Sequence, residues 1–105
     1  MSGDKSYFVY ILASKKNGTL YIGFTGNLEK RIYEHKTGEI KGFTSRYHIK
    51  KLVYYEQYSD PYNAIQREKQ LKKWNRAWEI HLIEKYNPDW KDLCGDEEIL
   101  PLPNA

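Results

Sequence analysis

The sequence predicts an α+β fold: a small three-stranded antiparallel sheet flanked by helices, in the order β-β-α-β-α-α. Three observations predict it. Three runs rich in aromatic and β-branched residues read as strands: "YFVYIL" (7–12), "LYIGF" (20–24) and "KLVYYEQY" (51–58). Capping residues open helical stretches after the second and third of them. Three strands cannot bury both faces of a sheet by themselves, so helices must cover at least one.

Each element has a local reason. Tyr7 to Leu12 is a continuous apolar run, as expected of a strand covered on both faces. Asn17-Gly18 is a hairpin signal, because both residues tolerate positive φ. A two-residue turn there pairs Lys16 with Thr19 and returns the chain as Leu20 to Phe24. Asn27 can cap a helix running to about Thr37, with Gly38 as its stop. Residues 38 to 50 read as irregular and basic, and Lys51 to Tyr58 as the third strand. Asp60-Pro61 places a cap before a first-turn proline and opens a helix to about Trp74. Asn75 can begin another helix, ending near Tyr86. "NPDWKDL" repeats the Asn-Pro arrangement and predicts a short final helix, with "LPLPNA" as a frayed end. The expected organisation is a flexible N-terminus (1–6), one domain (7–93) and an acidic, then proline-containing, tail (94–105).

Composition bounds the function classes. With 105 residues, 40% hydrophobic and 30% charged, the chain suits one ordinary globular domain rather than disorder. No apolar run approaches the ~20 residues needed to span a bilayer, so no membrane role is expected. "MSGDKS" lacks the apolar centre of a signal peptide, and the single cysteine, Cys94, has no disulfide partner; both point to the cytoplasm. The net charge of +3 is mild, but its distribution is uneven. Between Lys30 and Arg76 there are twelve Lys or Arg against five Asp or Glu, while "DLCGDEEIL" is acidic. A basic middle fits a surface facing a polyanion, with Lys30, Lys36, Lys41, Arg46 and Lys72 as candidate phosphate contacts. A solvated charged face would produce the same count.

Candidate chemistry is sparse. At about 100° per residue, Ala64, Ile65 and Leu71 form one helical stripe with Glu68 near its centre. A carboxylate there needs an ion pair or a metal. Arg31 and His35 lie one helical turn apart beside Leu28 and Ile32, pairing a phosphate-matched fork with a group that titrates near neutrality. The same pair would also suit an ordinary solvated helix face. With the turn given above, Tyr10 and Tyr21 share a sheet face at an offset of four residues, roughly 13 Å at ~3.3 Å per residue. No glycine-rich phosphate loop, Cys/His zinc spacing or serine-nucleophile elbow is present.

Together these residues resemble the GIY-YIG nuclease superfamily, in particular its small single-domain bacterial members. Phe8-Val9-Tyr10 stands where the family has Gly-Ile-Tyr, with Phe8 replacing the glycine. Tyr21-Ile22-Gly23 matches the second half of the name. Arg31 follows on the first helix, His35 one turn later, and Glu68 on the helix after the third strand. The resemblance spans about Tyr7 to Trp90. It implies a metal-dependent endonuclease acting on phosphodiester bonds in DNA, with branched or damaged DNA among its targets. It further implies Tyr10 as general base, Tyr21 as its positioning partner, Arg31 on the scissile phosphate and His35 in proton transfer. Glu68 would hold one Mg2+ or Mn2+. Larger relatives carry additional domains that choose targets, so a protein partner supplying specificity is a further expectation. Many relatives also have an asparagine a dozen or so residues after the glutamate; here Ile80 to Ile83 contain none. The alternative is a nucleic-acid-binding module that keeps the fold and cleaves little or nothing.

Overall fold

The computed structural model describes residues 5–95 and 98–104. Most of the segment expected to be flexible, residues 1–4, lies outside that range. Strands β1 (Tyr7–Ala13), β2 (Leu20–Thr25) and β3 (Lys51–Tyr58) form one antiparallel sheet in the order β2-β1-β3. Helices α1 (Leu28–Thr37) and α2 (Phe43–Arg46) lie between β2 and β3; α3 (Pro61–Lys72) and α4 (Arg76–Tyr86) follow. The α+β expectation therefore stands, with one helix more than expected before β3. Among the described residues no helix is long and apolar enough to cross a membrane.

The central strand sorts its side chains by parity into two cores. Val9, Ile11 and Ala13 meet Ile22, Val53, Ala64, Leu71, Ile83 and Trp90 beneath α3 and α4. Tyr10 and Leu12 meet Leu28, Ile32, Ile49, Leu52 and Leu93 beneath α1. A β-bulge between Ile11 and Leu12 leaves Val53 as the extra residue on β3. Without it, β3 beyond that point would turn its side chains to the wrong face. With it, Val53 joins the first core while Leu52 stays opposite Leu12 in the second.

The helix ends follow their caps. Asn27, Asp60 and Asn75 accept hydrogen bonds from the backbone N–H groups of Lys30, Asn63 and Trp78, each in the first turn of its helix. Gly38 ends α1 in the left-handed region at φ 80°, and Glu39 N–H donates to the Glu34 carbonyl.

Four local expectations are corrected. The type I′ turn that Asn-Gly favours needs positive φ at both central residues; Asn17 adopts it at 60° and Gly18 does not. Instead Ser14 N–H donates to the Thr19 carbonyl and Gly18 N–H to the Lys15 carbonyl, giving a four-residue loop. Second, residues 43–46 form α2 rather than irregular chain. Third, among the described residues no helix follows α4. Trp90 sits at φ 54°, which breaks the helical path. Buried Asn87 spends its side chain on Val53 O, Lys91 O and Lys91 N–H. Fourth, the described tail residues, 100–104, are packed rather than frayed. Leu100 N–H donates to Leu93 O and Asn104 N–H to Tyr86 O, while the Leu100 carbonyl accepts from the Tyr55 hydroxyl.

Candidate functional site

The four-residue loop changes the position of the two tyrosines. The β1–β2 register pairs Tyr10 with Gly23 and Leu12 with Tyr21, so Tyr10 and Tyr21 are diagonal neighbours two residues apart. Diagonal neighbours on one face lie within reach of aromatic side chains, and the two rings stand 6.3 Å apart between centroids. The expected offset of four residues was an error of turn type, and its correction brings the tyrosines together.

Gly23 makes this possible. It stands directly across from Tyr10, and a Cβ built there would lie 2.4 Å from Tyr10 Cζ and 2.4 Å from Tyr10 Oη. The Tyr10 ring thus crosses over the glycine, in space that any other residue would fill.

From the opposite side, α1 delivers His35. Its place on the stripe with Leu28 and Ile32 buries it to 2% exposure, although it is polar. Both ring nitrogens have partners, as a buried imidazole requires. Tyr10 Oη is 3.2 Å from Nε2, and Thr44 Oγ1 is 3.0 Å from Nδ1. Burial, reinforced by the nearby Arg31 charge, lowers the His35 pKa and favours the neutral ring. A phenol is the stronger acid of the two hydroxyls, so we assign the tautomer in which Tyr10 donates to Nε2 and Nδ1–H donates to Thr44. The result is a hydrogen-bonded chain, Tyr10–His35–Thr44, in which the third residue orients the second.

Replacing Thr44 by valine keeps the volume and removes the acceptor. The expected result is a switch of His35 to the Nε2–H tautomer, read from its ring nitrogen shifts by NMR, with a loss of about 1–3 kcal/mol in stability. Unchanged ring shifts and stability would refute the assignment.

Charge surrounds this chain. Tyr10 is 1% exposed, and burial, then Tyr21, raises its pKa well above the ordinary phenol value. The Arg31 charge acts in the opposite direction, while the Glu68 and Glu34 charges add to the rise. Arg31 is partly exposed and its guanidinium rests 3.6 Å from Glu34 on the same helix. Such a pair in solvent is worth little and exchanges readily for a phosphate. Tyr21 is half-buried, so it is the tyrosine of the pair that reaches solvent.

Glu68 comes from the other layer. α3 packs on β1 and β2, and β2 is an edge strand. On α3 only Ala64 and Leu71 are buried; the Glu68 side chain is 19% exposed and its carboxylate lies 3.0 Å from Lys72 Nζ. The stripe is therefore mixed, with Glu68 at its margin. Among the described residues there is no cluster of three or more His, Cys, Asp or Glu side chains able to hold a metal. A single, partly exposed carboxylate whose partner is a half-exposed lysine fits a cation such as magnesium, which keeps most of its waters and completes its shell with phosphate oxygens. It does not fit a closed zinc site.

The candidate phosphate contacts separate into two groups. Lys30, Lys41 and Arg46 are exposed. Lys36 is committed elsewhere: its ammonium donates to Asp92 Oδ2 at 2.6 Å and to the Lys50 carbonyl. Lys72 is paired with Glu68. Two residues escaped the sequence reading. Thr44 lies in a stretch without periodicity, and no local pattern ties it to a histidine nine residues earlier. Gly23 was legible as part of a motif but not as the space beneath a ring.

Comparison with known proteins adds the following. The family model described as the GIY-YIG catalytic domain matches residues 6–91. A UPF0213 protein of Syntrophus aciditrophicus is 40% identical over 83 residues, covering 78% of this chain and 93% of that protein. A UPF0213 protein of Bacillus licheniformis is 36% identical over 93 residues, covering 89% of this chain and 95% of that protein. The solution NMR structure of a UPF0213 protein from Bacillus halodurans is 25% identical, covers 75% of this chain and 83% of that one, and superposes with a TM-score of 0.48.

Proposed function

The chain belongs to the GIY-YIG catalytic domain family, and from that premise we propose that it is a divalent-metal-dependent endonuclease hydrolysing phosphodiester bonds in DNA. One observation carries the proposal. A buried Tyr10–His35–Thr44 hydrogen-bonded chain has the Tyr21 ring packed against both of its rings, with Arg31 one turn before His35 on α1.

Arg31, free to leave its exposed pair with Glu34, binds the scissile phosphate and offsets charge developing on its oxygens. Burial raises the Tyr10 pKa and disfavours a standing phenolate as base. The phenol acts instead as a relay: a proton of the attacking water passes to Tyr10 Oη as the phenol's own proton passes to His35 Nε2. His35 is neutral and so able to receive it, and the Nδ1–H bond to Thr44 holds the ring in the receiving orientation. Tyr21, the more exposed tyrosine, positions the water. Glu68 would hold Mg2+ or Mn2+, which when bound supplies Lewis-acid stabilisation of the phosphoryl and leaving oxygens. Asn87, the asparagine nearest the position that many relatives fill, is buried in backbone hydrogen bonds and takes no part. A half-buried Cys94 whose thiol pKa is raised by burial fits a reducing cytoplasmic setting.

The test is cleavage of branched, nicked and single-stranded DNA by wild type and Arg31→Ala, with and without magnesium or manganese. Cleavage that requires the cation and falls about 10²-fold or more in Arg31→Ala is expected. Binding without cleavage of any substrate would overturn the enzyme in favour of a binding module.

A further inference from the structure

Outside the site just described, α2 presents an unusual surface. Phe43 and Tyr47 stand one turn apart, 50% and 51% exposed, with ring centroids 5.0 Å apart and planes tilted by 53°. Single exposed aromatics are commonplace, but here two adjoin on one turn of helix. Around them the chain forms a shallow depression of about 630 Å³ lined by Lys41 and Arg46 and by no carboxylate. Gly42, at φ 120°, sets the entry to this turn, so the presentation of the rings is built into the backbone. Between the rings in sequence, Thr44 points the other way, is 4% exposed, and bonds His35. The outer face of α2 carries aromatics and cations, and its inner face anchors the proton relay.

We propose that Phe43 and Tyr47 form a stacking platform for unpaired bases, with Lys41 and Arg46 holding the phosphates of the same strand. Aromatic faces flanked by cations are what a single strand recognises, because every base has a π-face and every link a charge. A paired duplex hides its base faces and would use only the cations. Thr44, on the inner face of the same short helix, bonds His35, so the platform and the proton relay share one element. This inference rests on the nuclease reading and deepens it, by naming single-stranded segments as what the site receives.

Binding is measured by fluorescence anisotropy in EDTA, so that cleavage plays no part. The probes are a twelve-residue oligothymidine, its abasic counterpart of equal charge, and a duplex of equal length. Wild type is expected to bind oligothymidine at least tenfold more tightly than the abasic strand. The double variant Phe43→Ala/Tyr47→Ala is expected to lose about tenfold for each base stacked while holding its duplex affinity. Phe43→Trp supplies a direct reporter, whose emission oligothymidine quenches and the abasic strand does not. Equal binding of thymidine and abasic strands, or unchanged oligothymidine affinity in the double variant, overturns the platform. So does a dimer in sedimentation that the double variant abolishes without any change in oligothymidine affinity, since the rings would then contact a second copy. A protein that cleaves DNA yet fails this test keeps the nuclease reading and loses the platform. One that passes it and cleaves nothing loses only the nuclease reading.

Discussion

Glu68→Gln is expected to reduce metal-supported cleavage on the order of a thousandfold, the largest functional loss from any single change in this chain. The amide keeps the volume and shape of the carboxylate but removes the charge that a hydrated magnesium or manganese ion requires. The folded state should hardly notice. Glu68 lies at the edge of the packed stripe, and its ion-pair partner among the described residues, Lys72, is half-exposed. Exposed pairs of this kind contribute between ~0 and 1 kcal/mol, so the thermal midpoint should stay within a few degrees of wild type. Calorimetric titration with manganese gives an independent readout, in which the variant should show at least tenfold weaker binding. Retention of cation-dependent cleavage within tenfold of wild type would remove Glu68 from the proposed site.

Gly23→Ala should damage both stability and cleavage, and the sign of the first effect is informative. By intrinsic preference an alanine in a strand is better than glycine by ~0.5–1 kcal/mol. Here the added Cβ would stand 2.4 Å from the end of the Tyr10 ring, and that ring has nowhere to retreat. It is 1% exposed, pairs with Tyr55 in the β1–β3 register and is tied to His35. Overpacking of this kind costs about 1–3 kcal/mol, so the net change should be destabilising. Any movement of the ring also stretches the Tyr10–His35 bond, and a displacement of ~1 Å in a reacting group costs about 10²-fold in rate. Thermal denaturation together with the cleavage rate on a DNA substrate checks both. An alanine variant as stable and as active as wild type would mean that Tyr10 does not occupy the space above Gly23.

Much of this was legible in residue order. The strands announced themselves by aromatic and β-branched runs, and Asn27, Asp60 and Asn75 marked helix starts because capping is a contact made within three residues. Other features depended on contacts that local pattern does not encode. "NPDWKDL" carries a good helix opening, yet Asn87 is drawn into bonds with Val53 and Lys91 and the helix is forgone. "LPLPNA" looks like a loose end, yet its backbone pairs with Leu93 and Tyr86. Asn17-Gly18 signals a tight hairpin, but only one of the two residues adopts positive φ, and the register moves by two.

By itself the sequence determined the α+β class, the order of the elements and, through the paired tripeptides with Arg31, His35 and Glu68, the family. These are properties of short-range propensity and of spacing, which survive without knowledge of the packing. The tertiary structure decided that Tyr10 and Tyr21 meet, that His35 is buried neutral between Tyr10 and Thr44, and that Lys36 is committed to Asp92 while Phe43 and Tyr47 stand open. Each depends on a strand register or a layer contact between residues distant in the chain, and burial then sets which groups ionise and which can touch a strand.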